Sequence, residues 1–238
     1  MPAQRSLPFA ASLEVVVARY DESVAWTKNL PAGVRATIYD KGPPPVAEGH
    51  LPLPNIGREA HSYLQHIVQR YDSLAPLTFF CQGKPFDHAP DLHRRVRAAA
   101  TVGPEEGTGF CWLGFMADTD DARGRRLFVP WSKNRDGREL PVGEFYQDLF
   151  GEPAPEEFRF RPGGQFAARD SRIRFRSLDF YRRALALSIE RRDAAHCFER
   201  IWDAVFGVVG VDPAAMGGQT CLYEKPIRRL LDQQGAKR

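Results

Sequence analysis

The sequence predicts an α/β fold with a mostly parallel central sheet and helices on both faces of that sheet. Three observations lead to this prediction. Between residues 13 and 81, three short apolar runs alternate with two segments of helical character. Each run ends abruptly in polar residues, as buried strands do. Alternation of this kind is typical of parallel strands that are joined by right-handed helical crossovers.

The predicted strands of this first half cover residues 13–18, 34–39 and 77–81, and a short helix is predicted over 22–30. The clearest helix follows Asn55, which is its predicted N-cap. Apolar residues then recur at spacings of three and one, which gives a single stripe along one helix face. They are Ala60, Tyr63, Leu64, Ile67, Val68 and Tyr71.

The second half has a looser pattern. A basic helix is predicted over 91–100, short strands over 110–115 and 127–131, and a glycine turn into a strand over 163–168. Two amphipathic helices follow, the first lined by Leu178, Tyr181, Leu185 and Ile189, the second by Phe198, Ile201, Trp202, Val205 and Phe206. Because no repeat or low-complexity linker divides the chain, we expect one domain over 1–238, with halves 13–100 and 101–228 and loose tails 1–12 and 229–238.

Composition excludes several classes of protein. The chain has 238 residues, of which 43% are apolar and 26% charged, and a net charge of +3 with both signs interspersed. That balance does not indicate a nucleic-acid partner. The four cysteines form no C-x-x-C pair, and the apolar runs are too short for a membrane span. We therefore expect a reduced, cytoplasmic protein.

Polar residues cluster where the three predicted strands end. Tyr20, Asp21 and Glu22 follow the first strand and Asp40 follows the second, while residues 82–88 follow the third. In open parallel sheets, ligands bind at the carboxyl ends of the strands. The clusters therefore predict a binding site at this edge, although polar turns also end the strands of proteins that have no site there.

Several phrases of the sequence resemble a family of uncharacterised bacterial and fungal proteins that is known as a domain of unknown function. They are VVVARYDE, IYDKG, LPNIGREAHSYLQHIVQRYDSL, TFFCQGKPFDH, GGQFAARDSRIRFRSLDFY and FERIWDAVFG. This resemblance spans nearly the whole chain but implies no activity.

A more distant resemblance is to the GT-A class of glycosyltransferases. In that class a V-V-x-x-Y-N-E strand end meets the nucleotide, and an N-x-G-x-x-x-A-R-N helix leads to a strand that ends in Asp-x-Asp. Residues 15–22, 55–60 and 77–82 resemble these three elements in order and in approximate spacing. The resemblance implies a GT-A-type sheet, a nucleotide-sugar donor and a carbohydrate-type acceptor. It places Tyr20, Asp21, Glu22, Asp40 and Arg58 on the nucleotide side.

The sequence departs from that class at the third element, where Cys81-Gln82-Gly83 stands in place of Asp-x-Asp. A neutral Gln82 cannot offset the charge of Mn²⁺ or Mg²⁺ as two carboxylates do. Three alternatives follow. Asp87 and His88 hold the metal, or the reaction runs without metal, or the site binds without catalysis. For a reaction without metal, Lys84, Arg58 and the arginine-rich segment 169–176 are the groups expected to stabilise the diphosphate.

On the acceptor side, the resemblance implies a glycine-rich strand and then a helix that bears an acidic residue. The matching residues are Gly164, Gln165, Phe166 and Trp202, with Glu199 as the carboxylate that deprotonates the attacking hydroxyl. The alternative is that Glu199 belongs to the exposed face of an amphipathic helix and that Trp202 belongs to the core.

Two further features receive structural interpretations, and a third leaves two alternatives open. Residues 118–121 spell Asp-x-Asp but are predicted to form a solvated acidic loop, and His61 and His66 are predicted on the solvated side of the long helix. The alternating Arg172, Arg174 and Arg176 would share one face of a strand, where they would grip phosphate or protect an edge.

The leading hypothesis is therefore a glycosyltransferase-like enzyme. The alternatives are a non-catalytic protein that binds a glycan or an anion, and a cysteine-dependent hydrolase that uses Cys81.

Overall fold

The computed structural model describes residues 7–103, 107–126 and 138–224. The predicted strand over 127–131 and the tail 229–238 lie outside these ranges. The strands are β1 (Leu13–Arg19), β2 (Arg35–Asp40), β3 (Leu51–Pro52), β4 (Leu77–Gln82), β5 (Phe110–Trp112), β6 (Met116–Asp121), β7 (Glu157–Phe160), β8 (Phe166–Arg169) and β9 (Cys221–Tyr223). The α-helices are α1 (Arg58–Arg70), α2 (Leu92–Val102), α3 (Val142–Phe150), α4 (Asp170–Ile173), α5 (Leu178–Glu190), α6 (Ala194–Val205) and α7 (Pro213–Met216).

The large sheet has six strands in the order β3-β2-β1-β4-β8-β5. The β1–β2, β1–β4 and β2–β3 pairs are parallel, whereas β8 runs antiparallel to both β4 and β5. The predicted mixed α/β fold with a mostly parallel sheet is thus confirmed. Since β2 and β4 flank β1 on opposite sides, the strand order reverses at β1, and a crevice opens beyond the carboxyl ends of β1 and β4.

Helices cover both faces of this sheet, as the alternating side chains of β1 show. Val16 faces a core that includes Phe80 of β4 and apolar residues of α1, α3, α5 and α6. Val15 and Val17 face a second core with residues of α2. The β-branched run of β1 is therefore buried on both sides, which explains why its sequence is continuously apolar.

Residues 10–12, expected in a loose tail, instead form a 3₁₀ turn in which Ala10 is fully buried against the second core. The short helix expected over 22–30 is likewise a 3₁₀ segment, Ala25–Asn29. The long helix begins at Arg58 after Gly57, not after Asn55, because Gly57 adopts a left-handed conformation that turns the chain.

The prediction of a solvated acidic loop over residues 118–121 is wrong, because these residues belong to a second sheet. This sheet has the order β7-β6-β9, and residues 116–121 form its central strand rather than a solvated loop. Asp118 and Asp120 are buried. Their charges are balanced by Arg126, 2.9 Å from Asp118, and by Arg200, 2.8 Å from Asp120.

The histidine prediction for the long helix was also wrong. His61 and His66 are buried in α1, and His66 lies between Tyr39 and Phe80 with ring centroids about 6 Å away. Burial lowers the pKa of each imidazole to about 4, so both side chains are neutral at pH 7. None of the helices in the described ranges has the length and apolar character that a membrane span requires.

Candidate functional site

A polar cleft of about 420 Å³ lies at the carboxyl ends of β1 and β4, where the strand order reverses. It is lined by Ala18, Arg19, Tyr20, Glu22, Lys41, Asn55, Arg58, Glu59, Gln82, Lys84, Asp87 and His88. Seven of these residues are among those predicted from the sequence, namely Tyr20, Glu22, Arg58, Gln82, Lys84, Asp87 and His88. The structure thus brings together side chains from the predicted clusters that follow β1 and β4, together with Arg58 at the start of α1.

The β1 side of the cleft is held in shape by Glu22. Its Oε2 accepts a hydrogen bond from the backbone N–H of Tyr20 at 2.8 Å. Gly83 packs closely against the same oxygen, since a Cβ atom built there would lie 2.7 Å from it. The Tyr20 side chain is 46% exposed and is free to meet a planar ligand group. Asp21 is exposed and is not among the residues that line the cleft.

Asp40 does not line the cleft, but its carboxylate binds Arg19, which does. Its carboxylate is 2% exposed and accepts hydrogen bonds from Arg19 at 2.6 Å, from the Gly42 N–H at 2.9 Å and from His50 at 2.8 Å. Burial alone would raise the pKa of Asp40, but the bonds from His50, Gly42 and Arg19 outweigh it and lower the pKa. With its oxygens used in this way, Asp40 orders Arg19 and the 40–50 loop rather than contacting a ligand.

Lys41 stabilises the turn that precedes α1. Its Nζ donates to the carbonyl oxygens of Ile56 and Arg58, both at 2.5 Å. Arg58 has a φ of 47°, a left-handed conformation that is costly for a residue with a side chain. The two bonds from Lys41 hold this turn. Burial lowers the pKa of Lys41 to about 8, and the charge of Glu59 opposes that shift.

Two exposed cations complete the charged surface of the cleft. The Arg58 side chain is 61% exposed, and its Nη1 lies 3.4 Å from Nε2 of His196. Lys84 is 68% exposed and forms an ion pair of 3.0 Å with Asp87, which is 59% exposed. An exposed pair of this kind is weak, so an anionic ligand can compete with Asp87 for the lysine.

The side chains that line the cleft do not match the ligand set of a Mn²⁺ or Mg²⁺ site. Among the described residues, no group of three or more His, Cys, Asp or Glu side chains is placed to hold a metal ion. Gln82, Asp87 and His88 offer one amide, one carboxylate and one imidazole, and the carboxylate already pairs with Lys84. This donor set does not fit Mn²⁺ or Mg²⁺ as the Asp-x-Asp pair of the GT-A class does.

The far end of the cleft is the end at His88, which packs closely against Gly163. The backbone N–H of Gly163 donates to Oε1 of Glu199 at 2.5 Å, and a Cβ at this position would lie 2.5 Å from Cγ of His88. Arg200 donates to the other Glu199 oxygen at 3.3 Å. Both oxygens of Glu199 are thus hydrogen-bonded, and Glu199 is not among the residues that line the cleft.

The other residues expected on the acceptor side are core residues. Phe166 and Trp202 are at most 1% exposed and pack against each other at a tilted angle, with ring centroids 4.9 Å apart. Gln165 is fully buried and donates to the carbonyl oxygen of Pro85 at 3.0 Å. Gly164 is also buried. A direct contact of these side chains with an acceptor is therefore corrected to a structural role.

Glu59 is the residue that sequence reasoning missed. It lines the cleft with a side chain that is only 12% exposed. Burial raises its pKa, the positive charge of Arg58 opposes this rise, and the negative charge of Glu199 adds to it. The signal was available, because Glu59 lies inside the Asn-x-Gly-Arg-Glu-Ala phrase. Its burial comes from residues more than one hundred positions away and was not visible in the sequence.

Two sequence hypotheses lose their support. Cys81 is fully buried in the second core, and burial raises the pKa of its thiol, so it is a poor nucleophile. The arginine row is not on a strand, since Arg172 lies in α4 and donates to the Thr108 carbonyl at 2.7 Å. Arg169 pairs with Leu77 at the amino end of β4, so segment 169–176 lies at the opposite edge of the sheet from the cleft.

Residues 15–222 match the family described as "Protein of unknown function (DUF3431)". The chain belongs to this family. The matched DUF3431 region includes every residue that lines the cleft, together with Gly163 and Glu199. No curated protein matches the chain.

Proposed function

We propose that the chain is a glycosyltransferase-like enzyme of GT-A type that binds a nucleotide-sugar in the cleft and transfers the sugar to a carbohydrate-type acceptor. The observation that carries the proposal is the position of the cleft. It lies at the reversal of strand order in a parallel sheet, which is where doubly wound folds bind nucleotides. The segments that resemble the GT-A class, 15–22, 55–60 and 77–82, each contribute to its lining.

The charges of the cleft support a diphosphate ligand. Of the described side chains that line it, four are lysine or arginine (Arg19, Lys41, Arg58, Lys84) and three are carboxylic acids (Glu22, Glu59, Asp87). Arg19 is committed to Asp40, and Lys41 to two carbonyls. Arg58 and Lys84 remain exposed and are the cations that we assign to the leaving diphosphate.

The nucleoside is assigned to the β1 side, where the exposed Tyr20 ring offers a stacking surface next to Glu22. The acceptor is assigned to the opposite end, beside Gly163 and His88. The thiols of Cys81, Cys197 and Cys221 form no disulfide among the described residues, which supports a reducing, cytoplasmic location.

A thermal-shift panel of UDP-, GDP- and CMP-sugars, with and without Mn²⁺, tests the proposal. We expect at least one nucleotide class to raise the Tm of the wild-type protein. The shift should be lost in the double variant Arg58→Gln/Lys84→Gln and kept in the matched control Arg97→Gln, which changes an exposed arginine on α2. A panel without any stabilisation would remove the proposal.

A second candidate function is a non-catalytic protein that binds an anion or a glycan. It is favoured by one observation: both oxygens of Glu199, the base expected from the sequence, are already engaged by Gly163 and Arg200. This candidate requires stabilisation by the ligand without release of nucleoside diphosphate. Incubation of the stabilising nucleotide-sugar with the protein, followed by quantification of nucleoside diphosphate, separates the two functions.

A further inference from the structure

We propose that Glu59, and not Glu199, is the general base of the reaction, and that the acceptor hydroxyl binds where the Glu59 side chain lines the cleft. This inference rests on the proposed function, and it assigns the proton transfer to a side chain on α1. Glu59 lines the cleft, whereas Glu199 does not line it and accepts a hydrogen bond from the backbone N–H of Gly163.

Gly164 is a buried neighbour of the Glu59 carboxylate. It has a φ of +59°, and a Cβ built there would lie 3.7 Å from Nε1 of Trp202, 3.8 Å from Oε1 of Glu59 and 4.0 Å from its Cγ. A longer side chain at 164 would extend from that Cβ into the region of the carboxylate. Glycine therefore leaves Glu59 in its position at the lining of the cleft, where an acceptor hydroxyl can approach it.

The two carboxylates differ in how many donors they already bind. Glu199 accepts from Gly163 through one oxygen and from Arg200 through the other. For Glu59, the nearest cationic nitrogen in the described part of the chain is Nε of Arg58, at 3.8 Å, which is beyond hydrogen-bond distance. The Glu59 carboxylate also accepts a hydrogen bond from its own backbone N–H. No cationic side chain in the described part of the chain is hydrogen-bonded to Glu59, whereas each oxygen of Glu199 already accepts one hydrogen bond.

The charged neighbours of Glu59 also suit a base. Burial raises its pKa, Arg58 and Lys41 stabilise its ionised form, and the fixed charge of Glu199 destabilises that form. A carboxylate whose pKa is raised toward neutrality removes a proton more effectively than an ordinary exposed one. Glu199 thus acts on Glu59 by its charge, as a positioning residue.

The step that we assign to Glu59 is a displacement at the anomeric carbon. The acceptor oxygen forms a bond to that carbon while its proton passes to Oε1 of Glu59. The bond between the anomeric carbon and the diphosphate oxygen breaks, and its electron pair leaves with the nucleoside diphosphate, whose charge Arg58 and Lys84 offset. Water can replace the acceptor in this step, so donor hydrolysis reports on the same base.

The test compares Glu59→Gln with the wild type, using the nucleotide-sugar that stabilises the protein and water as the acceptor. Release of nucleoside diphosphate should fall at least 100-fold, whereas the Kd of the donor should change less than threefold. Glu144→Gln, an exposed carboxylate on α3, is the matched control and should keep the wild-type rate.

A stability readout distinguishes a base from a merely structural residue. The pKa of Glu59 is raised in the folded protein, so its ionised form lowers stability once the pH rises through the folded pKa. Glu59→Gln should therefore have a higher Tm than the wild type at pH 8, and this gain should vanish at pH 4. A structural glutamate would give a lower Tm at both values.

The outcomes separate this inference from the function on which it rests. If the wild type hydrolyses the donor and Glu59→Gln keeps more than a tenth of the rate, Glu59 is not the base, while the transferase proposal stands. If Glu59→Gln is unstable at pH 8, the inference also fails. If the wild type binds no nucleotide-sugar or releases no nucleoside diphosphate, the proposed function fails and the inference fails with it.

Discussion

Nε of Arg200 donates to Oδ2 of Asp120 at 2.8 Å, and neither side chain is more than 3% exposed. This ion pair ties the second sheet to α6. The same guanidinium donates to Glu199, whose other oxygen accepts from the N–H of Gly163. One buried arginine therefore connects the β6 strand to the far end of the cleft.

We expect Asp120→Asn to lower the free energy of unfolding by about 3 kcal/mol, because it leaves the buried charge of Arg200 without its main partner. Urea denaturation at pH 7 measures the change. The control is Asp179→Asn, which removes a solvent-exposed pair with Arg182 and should cost less than about 0.5 kcal/mol. Equal effects of the two variants would show that the Asp120 pair contributes no more than a surface contact.

We expect Gly163→Ala to destabilise the protein by clearly more than Gly151→Ala. Both glycines have positive φ, +97° at Gly163 and +75° at Gly151, so both substitutions carry the backbone cost of about 1 kcal/mol. At Gly151 nothing lies within 4 Å of the new Cβ, whereas at Gly163 it would meet His88 at 2.5 Å. Chemical denaturation should show an additional loss of about 1–3 kcal/mol at Gly163. Similar losses would contradict the close contact with His88.

The affinity for a diphosphate should fall as the pH rises above 8. Burial lowers the pKa of Lys41 to about 8, so this residue loses its positive charge between pH 7 and pH 9. Calorimetric titration with the preferred nucleoside diphosphate should show roughly threefold to tenfold weaker binding at pH 9 than at pH 7. In Lys41→Met, binding should be weaker at pH 7 and should show no such decrease. If the wild-type affinity is constant between pH 7 and pH 9, the charge of Lys41 does not contribute to diphosphate binding.

The buried His66 should make the fold sensitive to acid. Its pKa is lowered to about 4 by burial, although Glu14 lies 3.6 Å from its Nε2 and favours the charged form. Because the folded pKa lies below the unfolded value of 6.5, stability is full above pH 6.5 and falls as the pH drops from 6.5 toward 4. Between pH 7.5 and pH 5, the wild type should lose about 2 kcal/mol more than His66→Gln. Parallel losses, measured by urea denaturation at both pH values, would contradict a neutral His66.

Strands of the large sheet were predictable because short apolar runs in the local sequence mark them. β1, β2 and β4 agree with the predicted ranges to within one or two residues. β1 and β4 are buried along most of their length, and strands that are buried on both faces are continuous apolar runs. The polar clusters that follow β1 and β4 were then placed correctly by topology alone. The same reasoning placed Asp40 at the right strand end, but it could not show that Arg19 and His50 occupy its carboxylate.

The errors concern groups whose surroundings come from distant parts of the chain. Asp120 reads as solvated in the sequence because its partner Arg200 is 80 residues away. Glu59 reads as the first turn of an amphipathic helix, yet Gly164 and Glu199 of the second half bury it and perturb its pKa. Sequence patterns describe local periodicity, and they do not show which charges meet across the fold.

The central claim is that the cleft at the ends of β1 and β4 binds the nucleotide part of a nucleotide-sugar. Backbone amide NMR of the ¹⁵N-labelled protein during titration with UDP and GDP tests it most directly, because the perturbed amides locate the ligand. We expect saturable shifts at Tyr20, Gly83 and Arg58, with little change at Gly109 and Arg172 on the opposite edge of the sheet. Shifts confined to that opposite edge, or no saturable shift with either nucleotide, would contradict the claim.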